Sequence, residues 1–124
     1  MKHVVIAEGA PRPAGPYSHA VRAGDTIYLA GQGPFDPETN AIPTAFEERA
    51  RLTFSNLEQV ASAAGSSLAD AVRIGVYLKR MDDFEVMNRV YEEFVPEPRP
   101  ARTTIPADMR RIDIEVDAIL YVGP

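Results

Sequence analysis

The sequence predicts an α+β domain in which two helices cover one side of a single, mostly antiparallel sheet. Apolar residues recur at helical spacing twice, first as Phe46, Ala50, Phe54, Leu57, Ala61 and Ala64, then as Phe84, Met87, Tyr91 and Phe94. The closing stretch instead alternates with a period of two. Ile112, Ile114, Val116, Ala118 and Leu120 share one face, while Asp113, Glu115 and Asp117 share the other. The apolar face can receive the helices. The acidic face cannot be a dry core, because unpaired carboxylates are costly to bury, so it must meet water or a partner.

The elements follow in order. His3 to Ala7 is a β-branched run suited to an edge strand. A proline-rich loop, Pro11 to Pro16, then delivers Tyr17. From Ala20 to Gly31, two apolar segments flank Ala23-Gly24-Asp25-Thr26, which reads as a hairpin. Pro34 to Asn40 is dense in turn formers. Thr44 and Glu47 have the spacing of a capping box for the first helix, and Gly65 supplies its left-handed stop. Ala71 to Leu78 is a strand with Val72, Ile74, Val76 and Leu78 on one face. Asp82 and Glu85 repeat the capping spacing before the second helix, which Pro96 and Pro98 end. Ala101 to Ala107 and Ile112 to Val122 are the last strands.

Composition narrows the functions available. A chain of 124 residues makes one domain, 1–124, with one core. The formal net charge of -5 disfavours nucleic-acid binding through a basic surface. No apolar run is long enough for a membrane span, and the N-terminus breaks into prolines and glycines rather than a signal peptide's apolar region. Without cysteine there is no disulfide, thiolate nucleophile or thiolate metal site, and two histidines make a His-rich metal site unexpected. The expectation is a cytoplasmic domain that needs no metal and no cofactor. Gly31-Gln32-Gly33 is followed by Pro34 rather than by a helix, so it is not a nucleotide-binding loop.

The candidate chemistry lies near the C-terminus. Arg102 stands between a Pro-Ala pair and two threonines, and Glu115 lies within the final strand. Arginine offers a planar fork of donors matched to a carboxylate, and a half-buried glutamate can move protons. If the last two strands form a hairpin centred between Asp108 and Met109, Arg102 faces Glu115 across it. Spacing alone leaves two readings open: a cross-strand salt bridge, or a site that grips a small organic acid and hydrolyses part of it. Arg110 and Arg111 read as exposed turn residues, and His3 and His19 as structural or solvated.

Several motifs in sequence order give a more specific expectation. The block GPYSHAVRAGDTIYLAGQGPFDPETN, the middle FSNLEQVASAAGSSLADAVRIGVYLKRMDDFEVMNRVYEEFV and the closing RPARTTI and IDIEVDAI together resemble the RidA/YjgF family, also called the endoribonuclease L-PSP or reactive-intermediate deaminase family. The resemblance covers nearly the whole chain. It implies a chorismate-mutase-like fold with one mixed sheet, two helices on one face, and a homotrimer whose open sheet faces form a central barrel with sites between subunits. It also implies an enamine/imine deaminase that converts 2-aminoacrylate or 2-iminopropanoate to a 2-oxo acid and ammonia.

In that reading Arg102 clamps the substrate carboxylate and Glu115 positions or activates water. Tyr17, Gly31, Asn88 and Thr104 match pocket positions. Three departures stand out: Ala30 replaces a common serine, Thr104 replaces the cysteine of the best-studied branch, and the loop Pro106 to Arg111 is shorter than in many members. The alternatives are a non-catalytic trimeric protein that binds small carboxylates or acts as a chaperone, and a ribonuclease. The acidic charge balance argues against the ribonuclease.

Overall fold

A computed structural model describes residues 1–124, and its elements lie close to the expected ones. Strand β1 (Lys2–Val5) pairs with β2 (Ala20–Ala23), and β2 turns through Gly24-Asp25 into β3 (Thr26–Gln32). Gly24 takes φ +61°, the left-handed conformation this two-residue turn requires. Helix α1 (Phe46–Ala63) leads to β4 (Ala71–Leu78), and α2 (Phe84–Phe94) leads to β5 (Ala101–Pro106) and β6 (Ile114–Tyr121).

The six strands form one mixed sheet in the order β1-β2-β3-β6-β4-β5. All neighbours are antiparallel except β4 and β5. A parallel pair needs a long crossover, and α2 provides it. Strand β6 inserts between β3 and β4, which separates it from β5. The expected β5–β6 hairpin is therefore corrected. The chain leaving β5 crosses the end of β4, where the Ala107 N–H donates to the Leu78 carbonyl and the Lys79 N–H to the Asp113 carbonyl. Two chain-adjacent antiparallel strands can be spread apart by a third, and their spacing in sequence does not report it.

Both helices lie on one face and bury a single cluster. Phe54, Leu57, Val60, Met87 and Val90 meet Ile27, Ile74, Val76, Leu78, Ile114, Val116 and Leu120, all fully enclosed. Each side chain of this size stabilises the fold by about 1.5–3 kcal/mol relative to exposure. Phe54 sits edge-on to Tyr91 and stacks on Phe94, joining the helices. The expected face of β4 holds at Ile74, Val76 and Leu78 and departs only at Val72. A register irregularity between Ala71 and Arg73 puts Ala71, not Val72, into the core and leaves Val72 exposed.

Neither capping box forms. Ala45 occupies the N-cap of α1 without a side-chain bond, and Glu47 pairs instead with Arg51 at 2.9 Å. A 3-10 turn, Met81–Asp83, precedes α2, and Asp82 pairs with Arg80 at 3.0 Å. The start of α1 is held by Arg49, which donates to the carbonyls of Pro43 and Thr44 and grips Asp113 through two bonds of 3.0 and 2.8 Å. Asp113 thus leaves the acidic face of β6. The stop at Gly65 forms as expected, with φ +80° and the Ser66 and Gly65 N–H groups donating to the Ala61 and Ser62 carbonyls.

Candidate functional site

The residues singled out in the sequence fall into two separate groups. The first surrounds Glu115, on the face of the sheet away from the helices. Strand β3 carries a bulge between Leu29 and Gln32 beside it. Gly31 lies there, and a Cβ at that position would come within 2.5 Å of the Glu115 Oε2. The missing side chain is what lets the carboxylate lie against the backbone of β3. Burial first, and then the negative charge of Asp117, raise the Glu115 carboxyl above its usual range. Asp117 itself accepts from the Tyr77 hydroxyl at 3.1 Å.

Tyr17 joins this group from the proline-rich loop. His19 fixes the loop from beneath: it is buried, its Nδ1 accepts from the Ala7 N–H at 3.0 Å, and its Nε2 donates to the Pro11 carbonyl at 2.8 Å. Nδ1 acts as acceptor to a backbone N–H, so the proton belongs on Nε2. The Tyr17 hydroxyl accepts from the Ala14 N–H at 3.0 Å, while half of the residue stays open to solvent. Tyr17, Gly31 and Glu115 line one cleft of about 380 Å³. Its far wall comes from Phe35 and Ile112. Asn56, buried on α1, pins that wall by donating to the Gly33 and Phe35 carbonyls at 2.9 and 2.8 Å.

The second group lies on the helix side of edge strand β5. Arg102 pairs with Ile74, a core residue, and so projects toward α2. Its guanidinium lies 4.7 Å from the Tyr91 ring centroid and 5.7 Å from that of Phe84. Cation–π contact of this kind restrains the guanidinium without using its N–H donors. Asn88, Arg99 and Arg102 line a shallow depression of about 280 Å³. Thr104 lies on the same face of β5, level with Val76. The Asn88 Oδ1 and the Thr104 Oγ1 are both enclosed and have no hydrogen-bond partner within the chain. Buried polar atoms normally have one, so these two are unsatisfied groups close to Arg102.

Arg102 and Glu115 do not face each other. Glu115 pairs with Tyr77 and Arg102 with Ile74, both on β4. Positions an odd number of residues apart on a strand display their side chains on opposite faces. The expected cross-strand pair is thus replaced by two half-sites, Tyr17–Gly31–Glu115 and Asn88–Arg102–Thr104, on opposite sides of one sheet.

The sequence reading missed the arginines around the first cleft. Arg12, Arg110 and Arg111 line it, and the Arg111 guanidinium lies 5.6 Å from the Phe35 ring centroid. Arg110 and Arg111 are exposed turn residues as expected, and none of the three arginines has a carboxylate within salt-bridge distance. Their clustering depends on how two loops distant in sequence meet, which local pattern does not carry. No three His, Asp or Glu side chains converge as metal ligands, and no helix is long and apolar enough to cross a membrane.

Comparison with known proteins points in one direction. The family model described as endoribonuclease L-PSP matches residues 7–122. The chain is 42% identical to a RutC family protein of Pyrococcus horikoshii, over 98% of each. It is 33% identical to the 2-iminobutanoate/2-iminopropanoate deaminase of Dermatophagoides farinae, over 98% of this chain and 97% of that one. Among solved structures, Escherichia coli TdcF with bound serine superposes with a TM-score of 0.92 at 27% identity, covering 98% of this chain and 99% of that one.

Proposed function

The chain belongs to the endoribonuclease L-PSP family, the RidA/YjgF family, and from that premise we propose that it deaminates reactive imines of 2-amino acids at a site shared between two copies. The observation that carries the proposal is the separation of Arg102 from Glu115 onto opposite faces of the sheet. One chain holds a carboxylate clamp without an acid-base group, and an acid-base group without a clamp. A closed ring in which each copy sets its Arg102 face against the Glu115 face of the next completes every site. The open sheet face also suits an assembly, since Val4, Tyr28, Ile105 and Tyr121 are exposed on it. The expected assembly is a homotrimer with these faces turned to a central barrel.

The chemistry follows from the residue types. Arg102 of one copy holds the carboxylate of a 2-imino acid as a bidentate pair. An enamine such as 2-aminoacrylate reaches this form by taking a proton at its methylene carbon. Glu115 of the next copy accepts a proton from water as the oxygen bonds to the imine carbon. It returns that proton to the nitrogen to give a carbinolamine. The hydroxyl proton of this intermediate then passes through Glu115 to the same nitrogen as the C–N bond breaks, releasing ammonia and leaving the 2-oxo acid. A carboxyl pushed upward by burial is better suited to both transfers than an ordinary one, and such assistance contributes about 10²- to 10⁴-fold. Tyr17 lies beside the water's path, and Asn88 and Thr104 lie beside the clamp. The activity named for the Dermatophagoides farinae deaminase and the serine bound in TdcF agree with a small amino-acid-derived ligand. The net charge of -5 gives no support to RNA cleavage despite the family's name.

The test is release of ammonia and pyruvate from enzymatically generated 2-aminoacrylate, with the native protein and Arg102→Ala compared. Acceleration by the native protein and its loss in the variant are expected. If both match the uncatalysed rate while 2-oxobutanoate still binds, the protein is a carboxylate-binding member of the fold and not an enzyme.

A further inference from the structure

The cleft beside Glu115 is larger and more basic than a methyl- or ethyl-bearing imine requires. Its far wall is apolar, from Phe35 and Ile112, and Arg12, Arg110 and Arg111 also line it. The whole chain holds 18 acidic residues against 13 basic ones, yet Glu115 is the cleft's only acid. None of the three arginines has an ion-pair partner. Three unpaired guanidinium groups near one another repel, and they gain if an anion enters between them.

A second observation concerns the backbone. Only two non-glycine residues in the chain adopt positive φ, Asn40 at 64° and Arg111 at 66°, and both line this cleft. Asparagine tolerates the left-handed region, but arginine does so rarely, and strain of this kind gathers where a side chain must be aimed. Arg111, exposed in its left-handed turn, holds its guanidinium over the Phe35 ring.

We propose that this cleft is a side-chain subsite for imino acids bearing a second, terminal carboxylate, the imines of dicarboxylic amino acids. The inference rests on the deaminase reading above and names its preferred substrate class. With Arg102 of the neighbouring copy on the first carboxylate and Glu115 at the imine carbon, the intervening methylenes lie along Phe35 and Ile112. The distal carboxylate then reaches the arginines. Reaction balance is unchanged: water adds, ammonia leaves, and a 2-oxo dicarboxylate is the product.

The experiment compares kcat/KM for 2-iminosuccinate and 2-iminopropanoate, each generated in the assay by an amino-acid oxidase. Native protein should prefer the dicarboxylate by at least about tenfold, about 1.4 kcal/mol. The double variant Arg110→Met, Arg111→Met should lose most of that preference, and Arg12→Met should lose part of it. Arg89→Met, on the outer surface of α2, should keep it. If native protein accelerates both reactions without preference, the subsite is wrong and the deaminase reading stands. If neither imine is turned over, calorimetric titration with 2-oxoglutarate and 2-oxobutanoate decides the subsite separately. Tighter binding of the dicarboxylate that is lost in the double variant upholds it, and equal affinities overturn it.

Discussion

Arg102 and Glu115 lie on opposite faces of one sheet, with β4 between their strands and Ile74 and Tyr77 as their partners on it. No side-chain rotation can bring them together within a chain. A shared site therefore has a consequence that a single-chain site lacks. Arg102→Ala and Glu115→Gln should each be nearly inactive alone. Unfolding them together and reassembling them in equal amounts should restore about one quarter of native activity, because that fraction of interfaces pairs two intact halves. Steady-state ammonia release before and after mixing checks this, and no recovery would place the site within one chain.

The close approach at Gly31 makes a second prediction. A methyl group there would collide with the Glu115 carboxylate, whereas the backbone of Gly31 has no positive φ to lose. Gly31→Ala should therefore displace the acid-base group more than it unfolds the protein. We expect kcat to fall by about 10²-fold or more with little change in KM. A melting temperature close to native in the same sample shows that the loss is local.

Glu115 also predicts how activity and stability depend on pH. Burial, and secondarily Asp117, raise its carboxyl above the usual range. The folded chain then holds a proton that the unfolded chain has released, so the group's stabilising contribution is complete below the unfolded pKa. It is lost as pH rises through the folded pKa. Glu115→Gln should match native stability near pH 4 and exceed it near pH 8, measured by urea unfolding. In the rate profile, activity should rise with pH through a midpoint above that of an ordinary glutamate. Asp117→Asn should lower this midpoint without restoring the ordinary value, because burial remains the larger cause.

His19 predicts a purely structural loss. Its ring bridges the Ala7 N–H and the Pro11 carbonyl in a buried position. His19→Leu leaves both groups unsatisfied and should cost about 2–3 kcal/mol. His19→Gln, whose amide carries one acceptor and one donor end, should recover part of it. Because the bridge sets the loop that carries Tyr17, we expect KM to worsen in the leucine variant before kcat does.

Arg49 carries the last prediction. Its two bonds to Asp113 tie the start of α1 to the start of β6, and both side chains are one-fifth exposed. Arg49→Met leaves Asp113 partly enclosed without its partner and should cost about 1–3 kcal/mol, read as a lower urea midpoint. Restoration by lysine should be incomplete, since a point charge cannot reproduce the paired geometry.

Periodicity by itself determined much of this protein. The stripe Ala50, Phe54, Leu57 and Ala61 and the alternation from Ile112 to Leu120 each report a repeating local geometry, and each lies buried where its spacing placed it. The turn at Gly24 and the stop at Gly65 were legible for the same reason, since left-handed backbone selects glycine. The motifs named the candidate residues Tyr17, Gly31, Asn88, Arg102, Thr104 and Glu115. What they are to one another was decided only in three dimensions. Inserting β6 beside β4 turned an apparent hairpin pair into residues on opposite faces, a question of strand order that no local repeat encodes. The helix starts went the same way. Capping boxes that fit in isolation yielded to arginines, with Glu47 paired to Arg51 and Asp82 to Arg80, while Arg49 ties the start of α1 to Asp113. The arginines around Glu115 meet only because loops distant in sequence converge, and that convergence belongs to tertiary structure alone.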